Sequence, residues 1–255
     1  MNSATTLTTT PAYSSNMLTD MNKEEFLNGV IKKSYDRVCV MSVKPEKEIV
    51  RFRHRQLHRD IVVKLFNEDV PACRFLSGII HENLPEIYDV YDLDDGFAEI
   101  EEYVSGMNVG EMLEAGLFKY KTAGEVMRQL CAALSVLHEN GFVHRDIKPE
   151  NVIISDKGPV KLIDFDACRR FSRSKYADTH ILGTVGYAPP EQYGITQSDG
   201  RSDIYAAGVL FNVMLTGAHP AEKLAPGRAG RIITKCTQIN PEQRYQSAEQ
   251  LANAL

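Results

Sequence analysis

Large apolar residues are almost absent from the first twenty positions and then fall into two regimes, one of short alternating runs and one of longer helical periods. Residues 1–21 are rich in Ser and Thr, and burial there cannot repay the entropy of ordering, so the stretch reads as a flexible arm. From Asn22 the pattern predicts a short helix: Asn22 and Glu25 form a capping box, and Phe26, Val30 and Ile31 share one face. Three strand-like runs follow, over 37–43, 49–55 and 60–66. In the second, Val50 and Phe52 alternate with Arg51, Arg53 and Arg55, the pattern of a half-solvated antiparallel strand whose arginines face water. A short helix is predicted over 70–80, with Pro71 in its first turn and Val70, Cys73, Leu76 and Ile80 on one face. Glu68 and Asp69 read as its cap. The helical regime is clearest over 120–141, where Val126, Leu130, Leu134 and Leu137 make the buried face and Thr122 with Glu125 the capping box. Asp203 opens an apolar helix further on.

Composition narrows the classes. A chain of 255 residues is ample for one large domain or two small lobes. Its net charge of -5 and pI near 5.8 argue against nucleic acid or an anionic membrane as the main partner. Five widely spaced cysteines without a CxxC pair fit reduced thiols in a cytoplasmic protein, with no disulfide and no zinc expected. The most apolar stretch, 205–215, is too short for a membrane span, and the N-terminus lacks a charged-then-apolar signal pattern.

The chemistry is concentrated in HRDIKPEN, His144 to Asn151. An aspartate two residues before a lysine, with an asparagine three residues on, puts a base, a cation and an amide carbonyl on one short loop. A polar turn after a helix would account for Asp, Asn and Pro separately but not for their order. The string resembles the catalytic loop of protein kinases. That resemblance implies that Asp146 accepts the proton of a substrate hydroxyl, that Lys148 lies against the transferring phosphoryl oxygens, and that Asn151 holds a magnesium ion. Thirteen residues later, Asp164 in LIDFDAC matches the family's magnesium-binding aspartate, and two hard oxygen ligands suit that ion.

Other motifs extend the resemblance from about residue 38 to 255. IVVKLF is similar to the strand whose lysine, here Lys64, pairs the first ATP phosphates. GTVGYAPPEQYG is similar to the substrate-docking turn, with Thr184 the docking residue and Glu191 paired to Arg244 of PEQRYQS. Asp203 matches the buried aspartate that fixes the catalytic loop. Lys148 and Thr184 together follow the Ser/Thr-specific pattern, and DFDA, GYAPPEQYG and DIYAAGVLFNVMLTG look like compact bacterial Ser/Thr kinases related to the eukaryotic family. The implied fold is the α+β, two-lobed kinase fold: a small antiparallel β-sheet lobe with a shortened regulatory helix (about 22–101), a hinge (about 102–106) and a mostly helical lobe (about 107–255). Between Pro220 and Ile232 its helices are expected to be reduced to loops. The implied ligands are ATP and magnesium, with manganese as the alternative ion. The implied partner is a protein bearing a Ser or Thr hydroxyl, this chain itself included.

The sequence departs from the family in three places. Ser42, Lys44 and Lys47 stand where the phosphate-covering loop has glycines, so Lys44 and Lys47 would supply charge in place of close backbone amides. Ile49 and Val62 would still sandwich the adenine, with Glu102 and Val104 at the hinge. The regulatory helix has no glutamate in its middle. Lys64 then pairs instead with Glu101, which alternation places on the same face as Glu99, or both acids face solvent. Finally, Asp166 replaces the glycine of the DFG triplet, which restricts its backbone swing. Arg145 would receive a phosphate on Ser172, Ser174, Tyr176 or Thr179, or these are ordinary solvated hydroxyls. The readings left by these departures are an active kinase, a kinase-like scaffolding module with little turnover, and an enzyme transferring the nucleotide rather than the phosphoryl group.

Overall fold

A computed structural model describes residues 21–171, 186–193 and 198–255. The arm up to residue 20, Thr184, and the hydroxyls of Ser172, Ser174, Tyr176 and Thr179 lie outside the described residues. The chain forms two compact units, one made of the residues up to Asp69 with Tyr88–Glu101, the other of Val70–Ile87 with Glu102–Leu255. Residues 70–87, which the sequence reading assigned to the first lobe, therefore pack with the second unit.

The first unit begins with α1 (Lys23–Gly29), capped as the sequence predicts: Asn22 accepts from the Glu25 N–H and Glu25 accepts from the Asn22 N–H. Five strands follow: β1 (Tyr35–Lys44), β2 (Lys47–His54), β3 (Asp60–Phe66), β4 (Ile87–Leu93) and β5 (Gly96–Glu102), in the sheet order β1-β2-β3-β5-β4. Strands β1, β2 and β3 are antiparallel neighbours. Side chains alternate across a strand, so each strand contributes to both faces. On one face Val50, Phe52, Ile61, Val63, Leu65, Ala98 and Ile100 form a core with Phe26, Val30 and Ile31. The opposite face carries Ile49, Val62, Lys64, Phe66, Phe97, Glu99 and Glu101, and this alternation places the candidate chemistry of the unit on one side.

The β2 arginines face water as expected, Arg53 and Arg55 exposed and Arg51 partly so, and they also carry ion pairs. Arg51 and Arg53 both pair with Asp60 of the neighbouring strand, Arg53 Nε at 2.6 Å, and Arg55 Nε reaches Asp36 at 2.9 Å. Two guanidinium groups on one carboxylate hold Asp60 below the usual carboxylate range, the hydrogen bond from Arg53 leading and burial opposing it.

In the second unit, α2 (Pro71–Leu76) is shorter than expected. It ends where Ser77 Oγ bonds back to the Arg74 carbonyl at 3.0 Å, and Ile80, beyond that end, is 86% exposed. Its cap position is Val70, without a side-chain cap, so neither Glu68 nor Asp69 fills that role. Two helices follow, α3 (Val109–Ala115) and α4 (Tyr120–Glu139). The apolar face of α4 is buried as predicted, but Lys119 occupies its cap position and Thr122 already lies inside the helix, so no capping box forms. α5 (Gly200–Thr216) starts at Asp199, which accepts from the Arg201 N–H, and α7 (Ala248–Ala254) closes the unit. Residues 221–226 are non-helical as expected, whereas Gly227–Cys236 forms a helix, α6, whose first part falls in the stretch up to Ile232 where loops are expected. The burial of Ala229, Ile232, Ile233 and Cys236 explains it: they give α6 one apolar face, which packs on α5. Gly208 makes that contact feasible, because a Cβ there would lie 2.3 Å from the Cys236 Cβ.

Short strands line the remainder: β6 (Gly106–Asn108), β8 (Val152–Ser155) and β9 (Val160–Leu162) form one sheet, and β7 (Phe142–Val143) pairs with β10 (Arg169–Arg170). The catalytic-loop sequence lies between β7 and β8, and Asp164 follows β9.

Candidate active site

In the second unit α4 and β7 deliver His144 to a loop whose backbone is held from behind. Asp203, in the first turn of α5, accepts from the N–H groups of His144 at 2.9 Å and Arg145 at 2.8 Å, and its Oδ2 lies 2.7 Å from His138 Nε2. Burial alone would raise the Asp203 carboxyl, but His138, His144 and the Arg145 N–H together bring it below the usual range. Arg145 adopts a φ of 70°, rare for a residue with a Cβ, and Gln192 Nε2 donates to its carbonyl at 2.8 Å. The chain is thus pinned on both sides of a conformation it would not adopt unaided.

The next residues carry the reactive groups. Asp146 Oδ2 accepts from Lys148 Nζ at 2.6 Å and from Asn151 Nδ2 at 3.1 Å, and Asn151 Nδ2 also donates to the Asp146 carbonyl at 2.8 Å. With its amide nitrogen committed to Asp146, Asn151 presents its amide oxygen away from that residue. The Ile163 N–H bonds to the Asn151 carbonyl at 2.9 Å, tying the residue before Asp164 to this loop. Asp164 has a φ of 67°, and the fully buried Phe165 after it meets the His144 ring edge-on at 5.6 Å. The donor set of an asparagine oxygen and a carboxylate is hard and short of a full shell, which fits a magnesium-like ion that keeps waters and takes phosphate oxygens.

His144 is fully buried, and burial pushes its imidazole below the ordinary 6.5, although the carboxylates of Asp203, Asp164 and Asp146 pull the other way. Its Nδ1 accepts from the Asp146 N–H at 3.3 Å, so Nε2 carries the proton and donates to the Ile163 carbonyl at 3.3 Å. A depressed histidine favours the fold fully above the unfolded value, and that contribution is lost as pH falls toward the folded value. The melting temperature is therefore expected to drop as pH is taken from 7 to 5, and to drop less in His144→Asn. Equal slopes in a pH series of thermal melts would refute the assignment.

In the first unit Lys64 is 4% exposed and its Nζ lies 2.8 Å from Glu101 Oε1 and 3.2 Å from Glu99 Oε1. Both glutamates are buried, at 5% and 0% exposure, so the solvent-facing alternative does not hold. Ile49 stands opposite Lys64 in the strand register, and Val62 is buried on the same face. Lys47 lies on that face too, buried, with its ammonium 5.9 Å from the centre of the Phe66 ring, whereas Lys44, its register partner, is exposed. β1 and β2 are joined through Pro45 and Glu46 alone, so this turn is short as well as glycine-free. In the second unit Glu102 accepts from Lys161 Nζ at 2.8 Å, and Val104 is 9% exposed.

Glu191 and Arg244 form a buried two-pronged pair, at 2.5 and 3.0 Å, with Ser202 Oγ donating to the same carboxylate at 3.0 Å. Three contributors escaped the sequence reading: His138, Gln192 and Lys161. Each acts on a residue 47 to 65 positions away, and no local pattern marks them.

Residues 50–254 match the protein kinase domain family. The chain belongs to the protein kinase family. Among similar curated proteins, serine/threonine-protein kinase PrkC of Bacillus subtilis is 34% identical over 76% of this chain and 36% of its own length. Serine/threonine-protein kinase PknB of Mycobacterium tuberculosis is 30% identical over 80% of this chain and 39% of its own. Probable serine/threonine-protein kinase CPE1738 of Clostridium perfringens is 28% identical over 81% and 36%. The chain thus spans little more than a third of these kinases. Among the described residues of this kinase-family chain, no helix is long and apolar enough to cross a membrane.

Proposed function

We propose that this chain is an active Ser/Thr protein kinase domain, residues 22–255, that transfers the γ-phosphoryl group of ATP to a protein hydroxyl. The observation that carries the reading is the convergence of Lys148 and Asn151 on the Asp146 carboxylate, in a loop pinned by Asp203. The resemblance of its relatives' names, all Ser/Thr kinases, supports the same substrate class.

Asp146 accepts the proton of the incoming Ser or Thr hydroxyl as the new oxygen–phosphorus bond forms and the bond to the leaving ADP breaks. Lys148, held 2.6 Å from Asp146, balances charge on the transferring oxygens. Asn151 and Asp164 hold magnesium, with manganese the alternative, and Lys64 binds the first two phosphates. A bound divalent ion neutralises charge between the phosphates. Ile49 and Val62 flank the adenine, Glu102 and Val104 supply the hinge contacts, and Lys44 and Lys47 add charge near the phosphates. Thr184 docks the substrate, and hydroxyls of this chain are themselves acceptors. Five widely spaced cysteines without a CxxC pair, four of them buried, support action in the cytoplasm.

The short glycine-free turn and Asp166 favour a second reading, a weakly active or scaffolding domain. Label transfer from γ- and from α-labelled ATP, with magnesium, onto the protein itself and a basic protein substrate separates the readings. Transfer from the γ position alone, lost in Asp146→Asn and Asp164→Asn, is expected. Transfer from the α position would indicate nucleotide transfer, and no transfer at all would indicate a scaffold.

A further inference from the structure

Among the described residues, one cluster gathers three buried charged side chains on a single sheet face. On one face of the sheet a single ammonium, Lys64, faces two carboxylates, Glu101 and Glu99, all three at most 5% exposed. Burying charged groups is costly even when they are paired, and Glu99 adds a second carboxylate's desolvation to that of the Lys64–Glu101 pair. A purely structural site would be better filled by apolar side chains, as the opposite face of the same strands is.

We propose that Glu101, seconded by Glu99, is the positioning residue for Lys64, so that the sheet alone presets the nucleotide-binding lysine. This rests on the proposed ATP-dependent function and deepens it. The three groups sit on β3 and β5, adjacent strands of one sheet, so their spacing follows from strand pairing and does not depend on a separate mobile element. The helix that follows β3, α2, has the sequence PACRFL and contains no acid. The two acids face one cation from alternate positions of the same strand, which restrains Nζ from two directions at 2.8 and 3.2 Å. Burial, followed by the neighbouring Glu99, pushes the Glu101 carboxyl well up against the pull of Lys64, as befits two acids sharing one ammonium. On the same face lie Lys47 with its register partner Lys44, the Arg51–Arg53–Asp60 group, and Asp36 opposite Arg53.

The consequence is a lysine whose position is set within the first unit by strand pairing alone.

The test is a direct ATP affinity, by calorimetry with magnesium, in wild type, Glu101→Gln, Glu99→Gln, Lys64→Met and the Lys64→Met/Glu101→Gln double variant, alongside the KM values for ATP and for the protein substrate. Loss of a charge-assisted bond to Lys64 is expected to weaken ATP binding about tenfold or more in Glu101→Gln and less in Glu99→Gln. KM for the protein substrate should not move, and Glu101→Gln should add nothing once Lys64 is gone. An unchanged or tighter ATP affinity in Glu101→Gln, or a full additional loss in the double variant, overturns the proposal. Should Glu101→Gln fail to fold, Glu99→Gln decides: no weakening there refutes shared positioning. Because binding is read without turnover, a wild type that binds ATP but transfers no label defeats the proposed activity while leaving this inference to the affinities. A wild type that binds no ATP defeats both.

Discussion

Replacing Asp146 by Asn is expected to lower kcat for phosphoryl transfer by about 10²- to 10⁴-fold while leaving KM for ATP nearly unchanged. The amide keeps the shape of the carboxylate and an oxygen for Lys148, but it cannot take up the hydroxyl proton. Because Asn151 reaches the Asp146 backbone carbonyl at 2.8 Å as well as the carboxylate, the loop retains a tether in the variant. Asp203, Gln192 and the strained Arg145 backbone are untouched by it. Steady-state rates against ATP and protein substrate, with thermal melts to confirm an intact fold, measure the effect. A tenfold rise in KM for ATP at constant kcat would instead assign Asp146 a binding role.

The largest stability effect is expected at Arg244. Its side chain is 2% exposed and satisfies Glu191 through two nitrogens, at 2.5 and 3.0 Å. It also donates to the carbonyls of Gln238 at 2.7 Å, Arg201 at 2.9 Å and Ile239 at 3.1 Å, and stacks on Tyr205 at 5.0 Å. Arg244→Ala removes all of these donors and leaves a buried carboxylate whose remaining partner among the described residues is the Ser202 hydroxyl. Breaking one side of a buried pair typically costs about 3–5 kcal/mol. Urea unfolding should show a loss of that order, and the Glu191→Leu/Arg244→Met variant should recover part of it, because the charge left behind, more than the lost attraction, dominates the penalty. A loss below about 1 kcal/mol in Arg244→Ala would mean that water reaches Glu191 and the pair is a surface bridge.

The cluster around Asp146 was legible from residue spacing, whereas the Glu191–Arg244 pair, 53 residues apart, was anticipated from the family resemblance alone. HRDIKPEN is contiguous, so its side chains reach one another within a single turn of chain, and the Asp146–Lys148–Asn151 contacts follow from spacing of two to five residues. Periodicity likewise sufficed for β2, β3 and the buried face of α4, where an apolar side can only turn inward. The cap of α1 was readable because both of its partners lie three residues apart.

Helix ends and polar partners resisted. Thr122 looked like a cap and lies inside α4, since α4 begins after Lys119 and burial of its apolar face outweighs the few tenths to about 2 kcal/mol of a side-chain cap. Residues 227–236 gave little sign of a helix, with two glycines and two arginines among the first five, until packing against α5 supplied a partner for Ile232 and Ile233. The arginines of β2 alternate as a wet face would, yet Asp60 on the neighbouring strand claims two of them.

Local order along the chain therefore determined strands β1 to β3, the buried face of the long helix, the gathering of Asp146, Lys148 and Asn151 on one loop, and the family resemblance. The tertiary structure decided which charges are buried and with whom, Lys64 with Glu101 and Glu99 and Asp203 with His138, and which side chain holds the Arg145 backbone, Gln192. The physical reason is that a periodic pattern specifies which side of an element turns inward. The cost of burying a charge depends instead on partners that only the folded chain brings within hydrogen-bonding distance.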